Sequence, residues 1–434
     1  MAILTRYLER HTSFTKNWLP WIVSLSGGLL FFYEFLQINM LNSLSNSLES
    51  TFNVDVAQIG ELFFIYSTTN GLLLFPAGNL LDRFSTRKIV LISMILCITG
   101  TFGFALSKTF FMLKIFRFLV GVSGSFCFLS GAKLASRWFP SHKLGAVIGV
   151  IVTMGMLGGM TAQVPLSSLI HAYGWRQAII IDGALGIFLF IIIFLLVKDR
   201  PRLDEFLKSQ EKQDLELIGL WGAIWQLLSN RNNWFAACYT CFMNLPVFVL
   251  GAFLGSSYLQ QIHHLTDKQA AFVSGMIYLG TIIGSPFFGY LSDKLKRRRL
   301  PMIVSSIIAI ILIIPFILLN LSFVTYLWVF LAIGFITSSQ VIGYPTASEH
   351  NPPIITGSAI SIVSMVAILG GGYIVMSIGK LLSHTTHIVV SGVPHYTPKA
   401  YIHVMLSMPM FFILALIMAC LLKETYCCQA NTKL

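Results

Sequence analysis

The chain has 434 residues, 56% of them hydrophobic and only 11% charged. A soluble domain carries about a quarter charged residues, so this composition excludes a soluble globular protein and points to one that lives in lipid. A formal charge of +12 would suit nucleic acid if it were gathered on a soluble surface, and its distribution along the chain excludes that class too.

The first seventeen residues are polar and charged, with no short apolar core ahead of a small-residue cleavage site, so the first apolar run reads as an anchor and not as a removable leader. Apolar runs of about twenty residues then recur near 18–40, 57–79, 88–106, 110–137, 143–168, 175–197, 233–258, 267–291, 300–318, 324–345, 355–383 and 399–423. Each is long enough to cross a hydrocarbon core of about 30 Å. Unpaired backbone groups are too costly in lipid, so these twelve spans are expected to be helices. The expected class is an all-α membrane protein of twelve transmembrane helices.

The first span contains "SGGLLFFYEFLQINM" (26–40), an apolar run interrupted by one carboxylate, Glu34. A charge within a span is expensive and marks a functional position. The fourth span holds Arg117 about seven residues, or roughly 10 Å, from its outer end, nearly the depth of Glu34. Burial disfavours an ionised carboxylate and a nearby guanidinium favours it. A carboxyl held in that balance can carry a proton once per cycle; a fixed ion pair and direct substrate contact are the alternatives. Asp182, in the sixth span, is expected to pair locally near Arg176, while Lys133 and Lys380 lie near helix ends and can snorkel.

If both termini are cytoplasmic, the inner segments hold 21 Lys and Arg and the outer ones only Lys108, Lys114, Arg176, Lys268 and Lys399. That asymmetry predicts cytoplasmic termini. It makes the basic charge a membrane rim facing anionic lipid. The longest polar segment, 198–232, separates a six-span half at 1–197 from another at 233–434. Within it Leu217, Trp221, Ile224, Trp225 and Leu228 recur at helical spacing, as in an amphipathic helix on the inner face or an extension of the seventh span. The seven cysteines form neither a disulfide framework nor a zinc ligand set, and no metal site is expected.

The halves repeat. "GNLLDRFSTRK" begins at Gly78 and "GYLSDKLKRRR" at Gly289, an offset of 211; Gly145 in "FPSHKLGAVIG" and Gly357 in "NPPIITGSAIS" are offset by 212. Two unrelated landmarks sharing one offset imply duplication. Parallel six-helix repeats related by an axis along the membrane normal are a transporter plan. Gly78 is expected to let helices approach closely. Asp82 and Asp293, at negative helix C-termini, need a donor such as a neighbouring helix N-terminus.

These two loops resemble the signature of the major facilitator superfamily, Gly-x-Leu-Ala-Asp-Arg-x-Gly-Arg-Lys, at both of its helix junctions, with Ser85 where the family has glycine. "RFLVGVSG" (117–124) is similar to a second signature, Arg-x-x-Gln-Gly, with Val120 in place of glutamine. The resemblance covers nearly the whole chain and implies two six-helix halves rocking around a central site. It further implies a latch formed by Gly78, Asp82, Arg83, Arg87, Gly289, Asp293 and Arg297. The first and fourth helices would be neighbours, so that Glu34 and Arg117 can meet as the proton-coupling pair. Substrate-binding candidates on cavity-lining helices are Tyr33, Gln37, Asn70, Gln163, Asn244, Tyr278, Gln340, Ser361 and Ser364. Each could equally be hydrogen-bonding glue between helices.

The fifth span, with Gly155, Gly158, Gly159 and Pro165, lacks the Gly-Pro pattern of the family's drug antiporters. With "GWR" (174–176) and "NPPIITGSA" (351–359) it resembles a bacterial group that includes importers of organic anions and metal chelates. Proton-coupled uptake of a small polar or anionic solute is the leading expectation, with proton-driven export and a non-transporting sensor as alternatives. No enzyme is expected, because no nucleophile–base or phosphate-cradling arrangement stands out. Partners would be the small-molecule substrate and the bilayer, with no nucleic acid, in a monomer of a bacterial inner membrane; protons would be the coupling ion, with no other cofactor. His171, His263, His264, His384, His387 and His395 fall in outer segments, as solvated loop residues or as a metal- or pH-sensing cluster.

Overall fold

The computed structural model describes residues 19–139, 141–198, 225, 227–319, 321–351, 356–385, 387–390 and 393–428. The proposed interfacial helix is almost wholly outside the described residues, as are the N-terminal residues to 18. The first half comprises α1 (Leu19–Asn39), α2 (Leu41–Phe52), α3 (Val56–Arg83), α4 (Thr86–Leu106), α5 (Phe110–Trp138), α6 (Ser141–Thr161), α7 (Val164–Tyr173) and α8 (Trp175–Leu196). The second comprises α9 (Arg231–Pro246), α10 (Gly255–His263), α11 (Asp267–Leu295), α12 (Arg299–Leu318), α13 (Phe323–Thr337), α14 (Gly343–Glu349), α15 (Thr356–Ser383), α16 (Pro398–Met405) and α17 (Ser407–Leu421). A short antiparallel hairpin, β1 (His387–Val390) with β2 (Val393–Tyr396), joins α15 to α16. The sequence reading had not foreseen it.

Among the described residues eleven segments are long and apolar enough to cross a membrane. The remaining expected span is α3, whose 28 residues measure about 42 Å at 1.5 Å each. Its middle reads Tyr66-Ser67-Thr68-Thr69-Asn70, because that stretch faces protein. Several expected single spans are broken. The first continues beyond Asn39 as α2, the fifth breaks at Ala162–Gln163, and the tenth passes through a 3-10 turn at Ser338–Ile342. The seventh runs from Pro246 into a wide π turn at Val247–Gly251, which releases backbone groups from helical pairing.

Local capping repeats with the halves. Asp55 accepts from the Gln58 amide at the start of α3, and Thr266 does so from Gln269 at the start of α11; both are reciprocal capping boxes. Their offset, 266 − 55 = 211, equals that of Gly78 and Gly289. Across the interface α3 packs on α15 and α6 on α11. The duplication exchanges these two pairings, as a pseudo-two-fold axis requires.

The described loop residues 84–85, 198, 227–230, 296–298 and 350–351 lie at one end, the linker face. Those at 53–55, 107–109, 264–266, 384–385 and 397, with the hairpin strands, lie at the other, the hairpin face.

Candidate functional site

In α1 the positions Tyr33, Glu34 and Gln37 are three and four residues apart, so they share a face and look inward. All three are buried, as are Arg117 of α5 and Asp182 of α8. Arg117 Nη1 donates to the Gln37 carbonyl at 2.7 Å, and Gln37 Nε2 donates to Asp182 Oδ2 at 2.5 Å. Tyr33 hydroxyl reaches Thr101 Oγ1 at 3.2 Å and the Asp182 carbonyl at 3.3 Å. The Arg117 guanidinium lies 5.4 Å from the centre of the Tyr66 ring.

Glu34 and Arg117 therefore share one enclosure without a direct ion pair. Glu34 Oε1, Gln37 Oε1, Asp182 Oδ1, and Nε and Nη2 of Arg117 have no hydrogen-bond partner from the protein. Gly124 makes room for the carboxyl. A methyl group there would lie 2.5 Å from Glu34 Oε1 and 2.7 Å from both Asn70 Nδ2 and the Tyr66 hydroxyl. Asn70 Nδ2 itself donates to Tyr66 at 2.9 Å.

Asp182 corrects the sequence reading, which paired it locally. Arg176 instead donates to the Ala105 and Ser107 carbonyls at 2.7 Å each. These are orphan acceptors at the end of α4, a natural site for a cation.

Other candidates join the halves or brace the second. At the break between α6 and α7, Gln163 accepts from Asn42 at 2.7 Å and donates to the freed Gly251 carbonyl of the π turn at 2.9 Å. Asn42 also takes the Ser256 amide at 3.0 Å and donates to its hydroxyl at 3.0 Å. Ser45 meets Ser257 at 3.0 Å, Asn46 donates to Gln260 at 2.8 Å, and Tyr278 donates to Asn39 at 2.5 Å. This uncharged seam closes the halves together toward the hairpin face, and His171 with Asp267, 3.2 Å apart, extends it. Gln163 and Tyr278 were foreseen as site residues; their partners Asn42 and Asn39, and Asn46 beside them on Gln260 and Ser257, were not.

In the second half, Gln340 donates to Asn244 at 2.8 Å. Ser361 and Ser364 lie half-buried on α15. His263 pairs with Tyr326 at 2.8 Å, and no group of three metal-ligating side chains occurs among the described residues.

The duplicated loops sit on the linker face. A methyl group at Gly78 or Gly289 would meet no described atom within 4 Å. Among the described residues the expected close approach is thus not made in this conformation, because the halves meet toward the opposite face. Arg87 donates to the Phe194 carbonyl at 2.8 Å, while the side chains of Asp82 and Arg83 lie outside the described residues. In the second loop Asp293 pairs with Arg298 at 2.5 Å; Arg297 was the residue foreseen in the latch. Arg298 also pairs with Glu349 at 2.7 Å. The start of α12 is capped by Glu424, which accepts the Arg298 and Arg299 amides at 2.7 and 3.0 Å.

The sequence matches that of the Major Facilitator Superfamily over residues 27–375. It is 26% identical over 281 residues to the probable galactarate/D-glucarate transporter of Bacillus subtilis, covering 59% of this chain and 61% of that protein. The match to this relative thus spans less than two thirds of its length. It is 22% identical to the probable galactarate/D-glucarate transporter of Escherichia coli, covering 80% of this chain and 83% of that protein. The fold is similar to that of a bacterial homologue of the human lysosomal transporter Spinster in an inward-facing, unoccupied conformation. Its TM-score is 0.76 at 17% identity, over 93% of this chain and 97% of that one. Two duplicated six-helix halves, paired loops with the same offset and a family match over most of the chain make one conclusion: this multi-pass membrane protein belongs to the major facilitator superfamily of transporters.

Proposed function

We propose that the protein is a proton-coupled importer of a small organic anion, of the sugar-acid class, working by alternating access in a bacterial inner membrane. The observation that carries the coupling is the Glu34 carboxyl, buried near the Arg117 guanidinium without a direct ion pair. A carboxyl so placed can exchange a proton when the enclosure rehydrates. The names of the two bacterial relatives support the substrate class.

The Lys and Arg asymmetry supports placing the linker face in the cytoplasm. The seam of Asn42, Gln163 and Ser256 then closes the external side, and Gly78 and Gly289 stand apart on the internal side in an inward-facing state. The loops of Asp82 and Asp293 are the elements that would meet when the internal side closes.

The test is uptake of galactarate and D-glucarate by proteoliposomes of known orientation, with and without an imposed pH gradient, for wild type and Glu34→Gln. Glutamine keeps the volume of the protonated carboxyl. Concentrative uptake driven by outside acid should vanish in the variant, while exchange of internal for external substrate persists. Undiminished proton movement in Glu34→Gln would make Glu34 a structural residue and refute the coupling.

A further inference from the structure

We propose that Asp182 is a second proton-holding carboxyl, and that Glu34 and Asp182 share one proton around Arg117. This rests on the reading of Glu34 as a titrating group and adds to it a residue on a different helix.

The first half encloses two acids and one guanidinium, all essentially without solvent exposure. With both acids ionised the enclosure would hold an uncompensated negative charge, which costs several kcal/mol in such surroundings. With one proton bound it is neutral.

The geometry gives that proton two homes. Arg117 Nη1 is held by the Gln37 carbonyl, and the amide of the same residue is held by Asp182. One residue of α1 thus ties the guanidinium to the second acid, while Glu34, one turn back on the same face, borders the same space. Each acid keeps one oxygen, Glu34 Oε1 and Asp182 Oδ1, unpartnered by the protein, and Arg117 keeps two unpartnered nitrogens.

Among the described residues no other charged group enters. The remaining titratable neighbours are Tyr33 on α1, Tyr66 on α3, Cys97 on α4 and Cys127 on α5. The described side chains of α6, from 149 to 161, carry no charge. On α7, His171 is engaged by Asp267, and Arg176 of α8 by the carbonyls of α4. Glu49 of α2 lies beyond the hairpin-side end of α1.

Infrared difference spectroscopy of the full-length protein in lipid nanodiscs reads the protonated-carboxyl C=O band without needing a substrate. The set is wild type, Glu34→Gln, Asp182→Asn and the double variant at neutral pH. Wild type should show a band that both single variants lose as fully as the double one, because either leaves one acid facing Arg117. Signals from other carboxyls cancel in the differences. A band that survives Asp182→Asn, or survives Glu34→Gln, would assign the proton to one residue and overturn the sharing. Should Asp182→Asn fail to fold, Glu34→Asp and Asp182→Glu keep both acids. Each should then move the frequency of the same band, and movement by only one of them would overturn the proposal. Loss of the band in both single variants, together with undiminished proton flux in Glu34→Gln, would leave the sharing intact and refute only the coupled transport.

Discussion

At Gly124 the absence of a side chain is what lets a carboxyl, an amide and a phenol converge. Alanine there must displace Glu34, Asn70 or Tyr66, since its methyl would fall 2.5–2.7 Å from all three. Overpacking of this kind costs about 1–3 kcal/mol. Gly124→Ala is therefore expected to lower the thermal midpoint in detergent and to reduce transport, whereas Gly149→Ala, with no described atom within 4 Å, should leave both unchanged. Equal melting curves for the two variants would mean that the space around Gly124 yields easily. Glu34 and Arg117 were legible in the sequence because a charge inside an apolar run stands out whatever the fold. Asp182 was misread because proximity in sequence suggested Arg176, six residues and nearly two helical turns away. The end of α4, brought there only by tertiary packing, offers that arginine two carbonyls. The polar candidates were legible as a set, yet whether each served the core or the seam depended on which half it would face.

The elements that close the hairpin face are broken ones. Gln163 stands where α6 ends, the Gly251 carbonyl is released by the π turn, and a turn at Met40 divides α2 from α1. Unbroken helices would keep these backbone groups paired internally and leave less for the opposite half to hold. Hydropathy could place the spans, because twenty apolar residues suffice. It could not place the breaks, because a wide turn costs lipid-facing sequence no apolar residue. Asn42 is the centre of the seam, bonded to Gln163 of its own half and to the amide and hydroxyl of Ser256 across it. Asn42→Ala leaves the buried Ser256 amide without that partner, at about 1–3 kcal/mol. The population should shift toward an open hairpin face by roughly ten- to a hundredfold. Electron–electron distance measurement between spin labels at Lys108 and Lys268, one on each half, should then show a larger long-distance component than wild type at the same pH. An unchanged distribution would show that the neighbouring bonds of Asn46 and Tyr278 hold the face alone.

For the whole molecule, the duplication was legible because it leaves the same offset in loops and helix caps alike, whereas the face on which the halves meet was not, since the offset is the same whichever ends of the halves touch. That choice of face has a chemical consequence at Glu49. The 21 residues of α1 measure about 31 Å and cross the hydrocarbon by themselves, so α2 and its Glu49 project beyond it. There α2, of the first half, packs on β2, of the second. Burial, together with the charge of Asp55, raises the Glu49 carboxyl from its ordinary 4.5 to about 8. Its place in the last turn of α2, among outward-pointing carbonyls, disfavours the anion further. A rocking motion that parts α2 from β2 would hydrate Glu49 and return it toward its ordinary range. The closed face is the state that binds the extra proton, so the stability it draws from Glu49 is complete below about pH 4.5 and is lost as pH rises through about 8. At about 1.4 kcal/mol per pH unit, this amounts to at most about 5 kcal/mol. The spin-label pair at Lys108 and Lys268 should therefore open progressively between pH 5 and 8 in wild type. Glu49→Gln, neutral at every pH, should stay closed across that range. Superimposable curves for the two proteins would mean that Glu49 keeps its burial in both conformations, and that the hairpin face opens without separating α2 from β2.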